Sequence, residues 1–235
     1  MSLTGPDPQT PTRVGVPIAD LLAGLKGALG VVSALYARQR TGIGNVVRTS
    51  LLASIVGAQA FQGTRYPVAG EVGIALGNHH SAIVPYGLFR CADGDIQVAV
   101  ANDSSWRRFC SALALDPDHP DFADNASRVA NREGLVVHIQ RKLESASIDH
   151  WVTELQRVGV PVGAVRTLAQ VYEDPQTVAQ GLIIEVDPGS LGRLKLPGSA
   201  LRFSRDQRFN HTAPLTLGQH NESIVQWLDE LASRE

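Results

Sequence analysis

Leu21–Ala37 is the longest apolar stretch in this chain of 235 residues, and it constrains the fold more than any other feature. Leu21, Leu22, Leu25, Leu29, Val32 and Leu35 recur at helical spacing. Lys26 and three glycines (Gly24, Gly27, Gly30) interrupt the run. The pattern predicts a buried helix of a soluble domain rather than a membrane span. Glycine in a helix interior costs about 1 kcal/mol relative to alanine. Several in one helix argue for close contact with a neighbouring helix, strand or ligand. The helix is expected from Ile18 to near Arg40, where Thr41-Gly42-Ile43-Gly44 makes a turn.

A chain this long forms one large domain or two small ones. With 43% hydrophobic and 19% charged residues it has the material for a core and is not a disordered segment. Its 21 basic and 23 acidic residues are scattered, which excludes the basic footprint of a nucleic-acid binder. Cys91 and Cys110 are its only cysteines, too few for a disulfide framework or a cysteine zinc site. Met1–Arg13 does not read as a secretory signal. These features together predict a soluble, cytoplasmic, globular protein.

Along the chain, 4–12 is turn and linker chemistry. Val46–Ala60 reads as a short strand entering a second helix, and 63–85 as a glycine-punctuated loop. Tyr86–Cys91 and Asp95–Ala101 form a hairpin about Asp93-Gly94, a favoured turn dipeptide. Helical patterns follow at Ser104–Leu115, Asn125–Glu144, Asp149–Val158 and Leu168–Gly181. Val160–Val165 reads as a strand or connector, and Leu182–Val186 with Arg193–Leu196 as a strand pair. Glu222–Ser233 is a final helix.

Asp20 stands where the first helix begins. It could serve as an N-cap, its carboxylate accepting helix N–H bonds, and by spacing alone that reading is favoured. The same position, at the positive end of a helix, also suits a carboxylate nucleophile. His79 and His80 lie in the glycine-rich loop and, being adjacent, do not share a face, so they do not suggest a metal site. Asn78 and the glycines around it supply the backbone N–H groups and mobility of an active-site flap. Asp116, Asp118, Asp121 and Asp124 lack the glycine and terminal glutamate of a calcium loop and read as a solvated connection. Gly42-Ile43-Gly44 does not complete a dinucleotide fingerprint. No hydrolase elbow, zinc-protease helix or phosphate loop occurs.

Read in order, short landmarks across nearly the whole chain resemble the family III CoA-transferases (CaiB/BaiF type). That family includes formyl-CoA and carnitine CoA-transferases and the related 2-methylacyl-CoA racemases. The landmarks are Gly15-Val-Pro-Ile-Ala-Asp20, Thr41-Gly-Ile-Gly44, Ser50-Leu-Leu52, Gly77-Asn78, Pro85-Tyr86 and Asp93-Gly94. Asn102-Asp103, Trp106, Asn125, Arg128, Asn131-Arg132, Trp151, Gly159-Val-Pro161, Asp174-Pro-Gln176, Gly181 and Leu217-Gly218-Gln-His220 follow. Two positions depart from the family pattern: Asn45 where glutamine is usual, and Arg48-Thr49 where an acidic residue usually precedes the Ser-Leu-Leu helix.

The resemblance implies an α/β fold in three segments. Residues 1–85 would carry the catalytic helix of a larger, CoA-facing domain, 86–185 a small mixed α+β domain, and 186–235 the return to the larger one. It implies transfer of CoA between an acyl-CoA and a carboxylic acid through an aspartyl-CoA thioester on Asp20. Gly70, Gly73, Gly77, Asn78 and His79 would contact the CoA thioester and close over the reaction. Acyl-CoA is the implied substrate, with no metal. Family members carry a nucleotide-binding segment ahead of the region matching Met1, so the chain is expected to be their C-terminal part. It would then work as a homo-oligomer or with a separate N-terminal half, and would expose an apolar face on Ile18–Arg40. Two alternatives are a non-catalytic assembly module and an acyl-CoA racemase, for which Glu71 is the acidic candidate in the glycine loop.

Overall fold

A computed structural model describes residues 1–188, 192–204 and 211–233. Positions 189–191, 205–210 and 234–235 of the expected return segment lie outside the described residues. The chain divides into two compact units, Met1–Val165 and Arg166–Glu235.

In the first unit the apolar run forms α1, Ile18–Thr41, stopped by Gly42 in the left-handed conformation (φ 74°). The expectation that this helix is buried is not met: none of its residues is buried. Leu21, Leu25, Leu29, Val32, Leu35 and Tyr36 are exposed, as expected for an unpartnered apolar face. By length and a mean hydropathy of 1.6 it reaches what a spanning helix requires. Its contacts are those of a helix packed on its own chain. Lys26 Nζ donates to the Ser54 carbonyl at 3.0 Å, and Gly30 lies so near Val47 that a Cβ would sit 2.6 Å from a valine methyl. The close approach expected of the helix glycines is thus real at Gly30, while Gly24 faces open space.

α2, Leu51–Val56, is capped by the Ser50 side chain, and α3, Ala60–Ala69, ends at left-handed Gly70. Two expectations are corrected here. Val46–Ser50 forms no strand, because no strand edge lies beside it to pair with. The start of the expected loop is instead helical, despite Gly63 and Pro67.

The hairpin is present: β1, Tyr86–Cys91, pairs antiparallel with β2, Gly94–Ala99. Cys91 opposes Gly94, so the two turn residues are Ala92-Asp93, one position earlier than the sequence predicts. Asp93 instead accepts from the Ile148 N–H at 2.7 Å. β3, Val162–Ala164, adds antiparallel to β2 and completes a three-stranded sheet in the order β1-β2-β3.

Phe89 and Cys91 of β1 with Ile96 and Val98 of β2 point inward, as period-2 alternation requires. Three helices cover them: α4 (Asp103–Leu113), α6 (Arg132–Leu143) and α7 (Ile148–Arg157). Trp106, Phe109, Leu135, Ile139, Leu143 and Leu155 fill the core. The expected helix 125–144 is broken at Asn131 into α5 (Asn125–Ala130) and α6. Asp124 caps α5, and Asp118 pairs with Arg107 at 2.8 Å, so these acidic residues belong to a solvated connection.

In the second unit the expected helix 168–181 is two helices, α8 (Leu168–Glu173) and α9 (Pro175–Ala179). Pro175 disfavours helical geometry at Asp174, which is extended and caps α9 with its side chain. β4 (Ile183–Val186) and β5 (Leu194–Pro197) form an antiparallel pair, and α10 spans Asn221–Ala232.

Candidate active site

Pro17 occupies the N-cap of α1 and no side chain caps the helix. Asp20 therefore lies inside the first turn, and the capping role favoured by spacing is not the one it has. Its carboxylate is exposed and has no hydrogen-bond or ion-pair partner among the described residues. The carboxylate thus sits in the first turn, at the helix's positive end.

Asp20 faces a cleft of about 500 Å³. Leu3, Arg13, Val16, Pro17, Ile18, Ile55 and Gln59 are among the residues that line it. The segment ahead of α1 folds back on itself and supplies Leu3, Thr4, Arg13 and Val14 to that lining. The Thr12 N–H donates to the Thr4 carbonyl at 2.7 Å, which sets residues 1–4 beside 12–14. A Cβ at Gly5 would lie 2.2 Å from the Thr10 carbonyl oxygen, so the loop closes only with glycine there.

The glycine segment rests on the same loop but does not line the cleft. Gly77, with φ 61°, donates its N–H to the Gly5 carbonyl at 3.0 Å. Gly73 abuts Leu3 and Gln62, where a Cβ would meet Leu3 at 2.7 Å. Gly70 ends α3, and both it and Asn78 are exposed. His79 packs edge-on to Phe89 at 5.7 Å and fills the space beside Gly87, where a Cβ would come 2.2 Å from its Nδ1. Burial, and next the positive charge of Arg132, hold its pKa below the usual imidazole value. His80 stacks on Tyr86 at 5.1 Å. The structure thus brings Asp20 together with Arg13, Ile55 and Gln59. It sets Gly70, Gly73, Gly77, Asn78 and His79 apart from that cleft.

The far end of the glycine segment is pinned by three residues of α5 and α6. Arg132 donates to the His80 and Ser81 carbonyls at 2.7 and 2.9 Å. Asn125 donates to the Ala82 carbonyl at 2.9 Å and accepts from the Val84 N–H at 3.2 Å. Arg128, 1% exposed, donates to the carbonyls of Val84 and Phe122 and to Asp103, its guanidinium 4.9 Å from the Trp106 ring centroid. These landmarks position a loop, a role that their spacing did not indicate. Arg13, Ile55 and Gln59 carried no sequence signal at all, since tertiary folding alone brings them to Asp20.

Other chemistry is poorly supplied. Burial pushes the Cys91 and Cys110 thiols up to about 11 and about 12. Glu71 is ion-paired with Arg65 at 2.6 Å. Among the described residues no group of three or more histidine, cysteine, aspartate or glutamate side chains could hold a metal ion.

A mixed helix-and-sheet chain that presents an unpartnered carboxylate at a helix start has clear relatives. The profile of CoA-transferase family III matches residues 1–221. The human "Succinyl-CoA:glutarate CoA-transferase" is 30% identical over 227 residues, covering 96% of this chain and 52% of that protein. The "Succinate--glutarate CoA-transferase" of Agrobacterium fabrum is 29% identical, covering 98% of this chain and 58% of its own length. The crystal structure of a CaiB/BaiF family protein from Brucella suis superposes with a TM-score of 0.78 at 32% identity, over 97% of this chain and 60% of that one. This chain belongs to CoA-transferase family III. It spans about half the length of the curated relatives it matches.

Proposed function

We propose that the protein transfers coenzyme A between an acyl-CoA and a carboxylic acid, with Asp20 as nucleophile. The observation that carries this reading is the free carboxylate of Asp20, facing a cleft at the start of α1, in a chain of this family. Asp20 attacks the thioester carbonyl, the C–S bond breaks, and CoA leaves as thiolate from a mixed anhydride. The thiolate attacks the aspartyl carbonyl, the donor acid departs, and an aspartyl-CoA thioester remains. The acceptor carboxylate attacks that thioester, and the thiolate then attacks the new acyl carbonyl and regenerates Asp20. Helix N–H groups beside Asp20 lower the cost of each oxyanion.

An anhydride must be shielded from water. The Gly70–His80 segment, seated on the loop that walls the cleft, is the element we assign to closure and CoA contact, through Gly70, Gly73, Gly77, Asn78 and His79. The exposed apolar face of α1 supports a working form in which a second copy or the remainder of a longer enzyme covers it. The human and Agrobacterium fabrum relatives are named for succinyl-CoA or succinate and for glutarate, which supports short dicarboxylic acids as substrates here.

Incubation with succinyl-CoA or glutaryl-CoA, followed by peptide mass spectrometry, is expected to place a CoA adduct on the peptide containing Asp20. Asp20→Asn should reduce labelling by at least about 1,000-fold while costing no more than about 1 kcal/mol of stability, the contribution of a first-turn carboxylate. Absence of the adduct with every donor overturns the reading.

A further inference from the structure

Arg13 shares the cleft with Asp20 and is the other charged side chain in its lining. Its guanidinium is exposed and has no hydrogen-bond or ion-pair partner among the described residues. The two opposite charges line one cleft and are not ion-paired with each other. Leu3, Val14, Val16, Ile18 and Ile55 give the same cleft a largely apolar lining, with Ser2, Thr4, Thr12 and Gln59 as its polar members.

We infer that Arg13 is the specificity residue that binds the distal carboxylate of a dicarboxylic acyl group, while the other end of that group reacts at Asp20. This rests on the CoA-transferase reading of Asp20 and names the substrate feature that the same site selects. A guanidinium presents paired donors that match a carboxylate, and the largely apolar lining suits a short methylene spacer. The charge order also fits. A dicarboxylic acyl-CoA is neutral at the thioester end, which approaches the anionic Asp20, and anionic at the end that reaches Arg13. A monocarboxylic acyl-CoA of similar length has nothing to offer Arg13.

The test has two arms. In the first, labelling of Asp20 by succinyl-CoA and by butyryl-CoA is compared in the wild type, Arg13→Gln and Arg13→Lys. The expected result is a preference for succinyl-CoA that falls about 10- to 100-fold in Arg13→Gln and is partly restored in Arg13→Lys. Equal slowing with both donors would point to a phosphate of CoA as the Arg13 ligand and overturn the inference, as would no change in preference. In the second arm, glutarate and butyrate are titrated into Asp20→Asn by protein-observed NMR, where no chemistry is needed. Glutarate should bind more tightly than butyrate, and adding Arg13→Gln should remove the difference. Equal binding of the two acids overturns the inference. A wild type that labels with no donor, beside an Asp20→Asn variant that selects glutarate through Arg13, would sink the transferase reading and leave Arg13 standing.

Discussion

Helices α1 and α6 reverse the usual relation between hydrophobicity and burial. α1 carries a leucine or valine at nearly every turn of its 24 residues and buries none of them. α6, with 12 residues, four of them charged, buries Leu135, Ile139 and Leu143 completely or nearly so. The difference lies in what the chain sets opposite each helix. α6 faces the inward side of β1 and β2 and meets Trp106, Phe109 and Leu155 across a closed core. α1 meets the chain on one side only, where Val47, Thr49 and Ser54 approach its small residues and Lys26. Apolar content makes a helix able to be buried, but the hydrophobic gain is collected only where a second surface excludes water.

Substitutions can break or sharpen that contrast. Phe109→Ala empties the centre of the core under α6 and should cost about 3–5 kcal/mol, read as a fall in the urea midpoint with an unchanged slope. Arg128→Met keeps the stem against Trp106 but leaves the Val84 and Phe122 carbonyls without their donor. It should cost about 2–4 kcal/mol, and faster hydrogen exchange at residues 80–84 should accompany it.

His79 should make the core region pH-sensitive. Its folded pKa is depressed, so the unfolded chain binds the proton more readily. The contribution is complete above the unfolded value near 6.5 and is lost as pH falls from there through the lowered folded value. His79→Gln should flatten the stability profile over that window, measured by thermal melts at stepped pH. Smallest of all, Leu25→Ser or Leu29→Ser on α1 should change the stability of the free chain by no more than about 0.5 kcal/mol. A cost like that of Phe109→Ala would show that α1 is buried in solution and end the contrast. Loss of self-association without loss of monomer stability would sharpen it.

The core region was the more legible in the sequence. Strong periodicity located α1, α4, α7 and α10 to within a few residues, and strand alternation located β1 and β2 with their inward faces. The errors came where a local rule met a competing one. Gly63 and Pro67 disguised α3, which carries both inside its ten residues. Asn131 and Asp174 divided two apolar patterns that read as continuous, because periodicity does not register a break of one residue. Val46–Ser50 had strand residues but no neighbouring strand, and a ladder needs two.

The candidate site was legible only at its centre. Asp20 could be singled out because a carboxylate at a helix start is distinctive within the chain. Its partners in the cleft could not, because Leu3, Arg13, Ile55 and Gln59 are brought there by the fold-back at Gly5 and by the packing of α2 on α1. The sequence by itself determined most of the helices and strands, which faces are apolar, and the family. Those follow from residue type at a fixed period, which is local information. The tertiary structure alone decided which apolar faces are buried, that Arg128 and Arg132 hold a loop, and that Arg13 stands in the same cleft as Asp20. Each of these depends on two surfaces meeting, and the distance between remote residues is not written in the spacing of either.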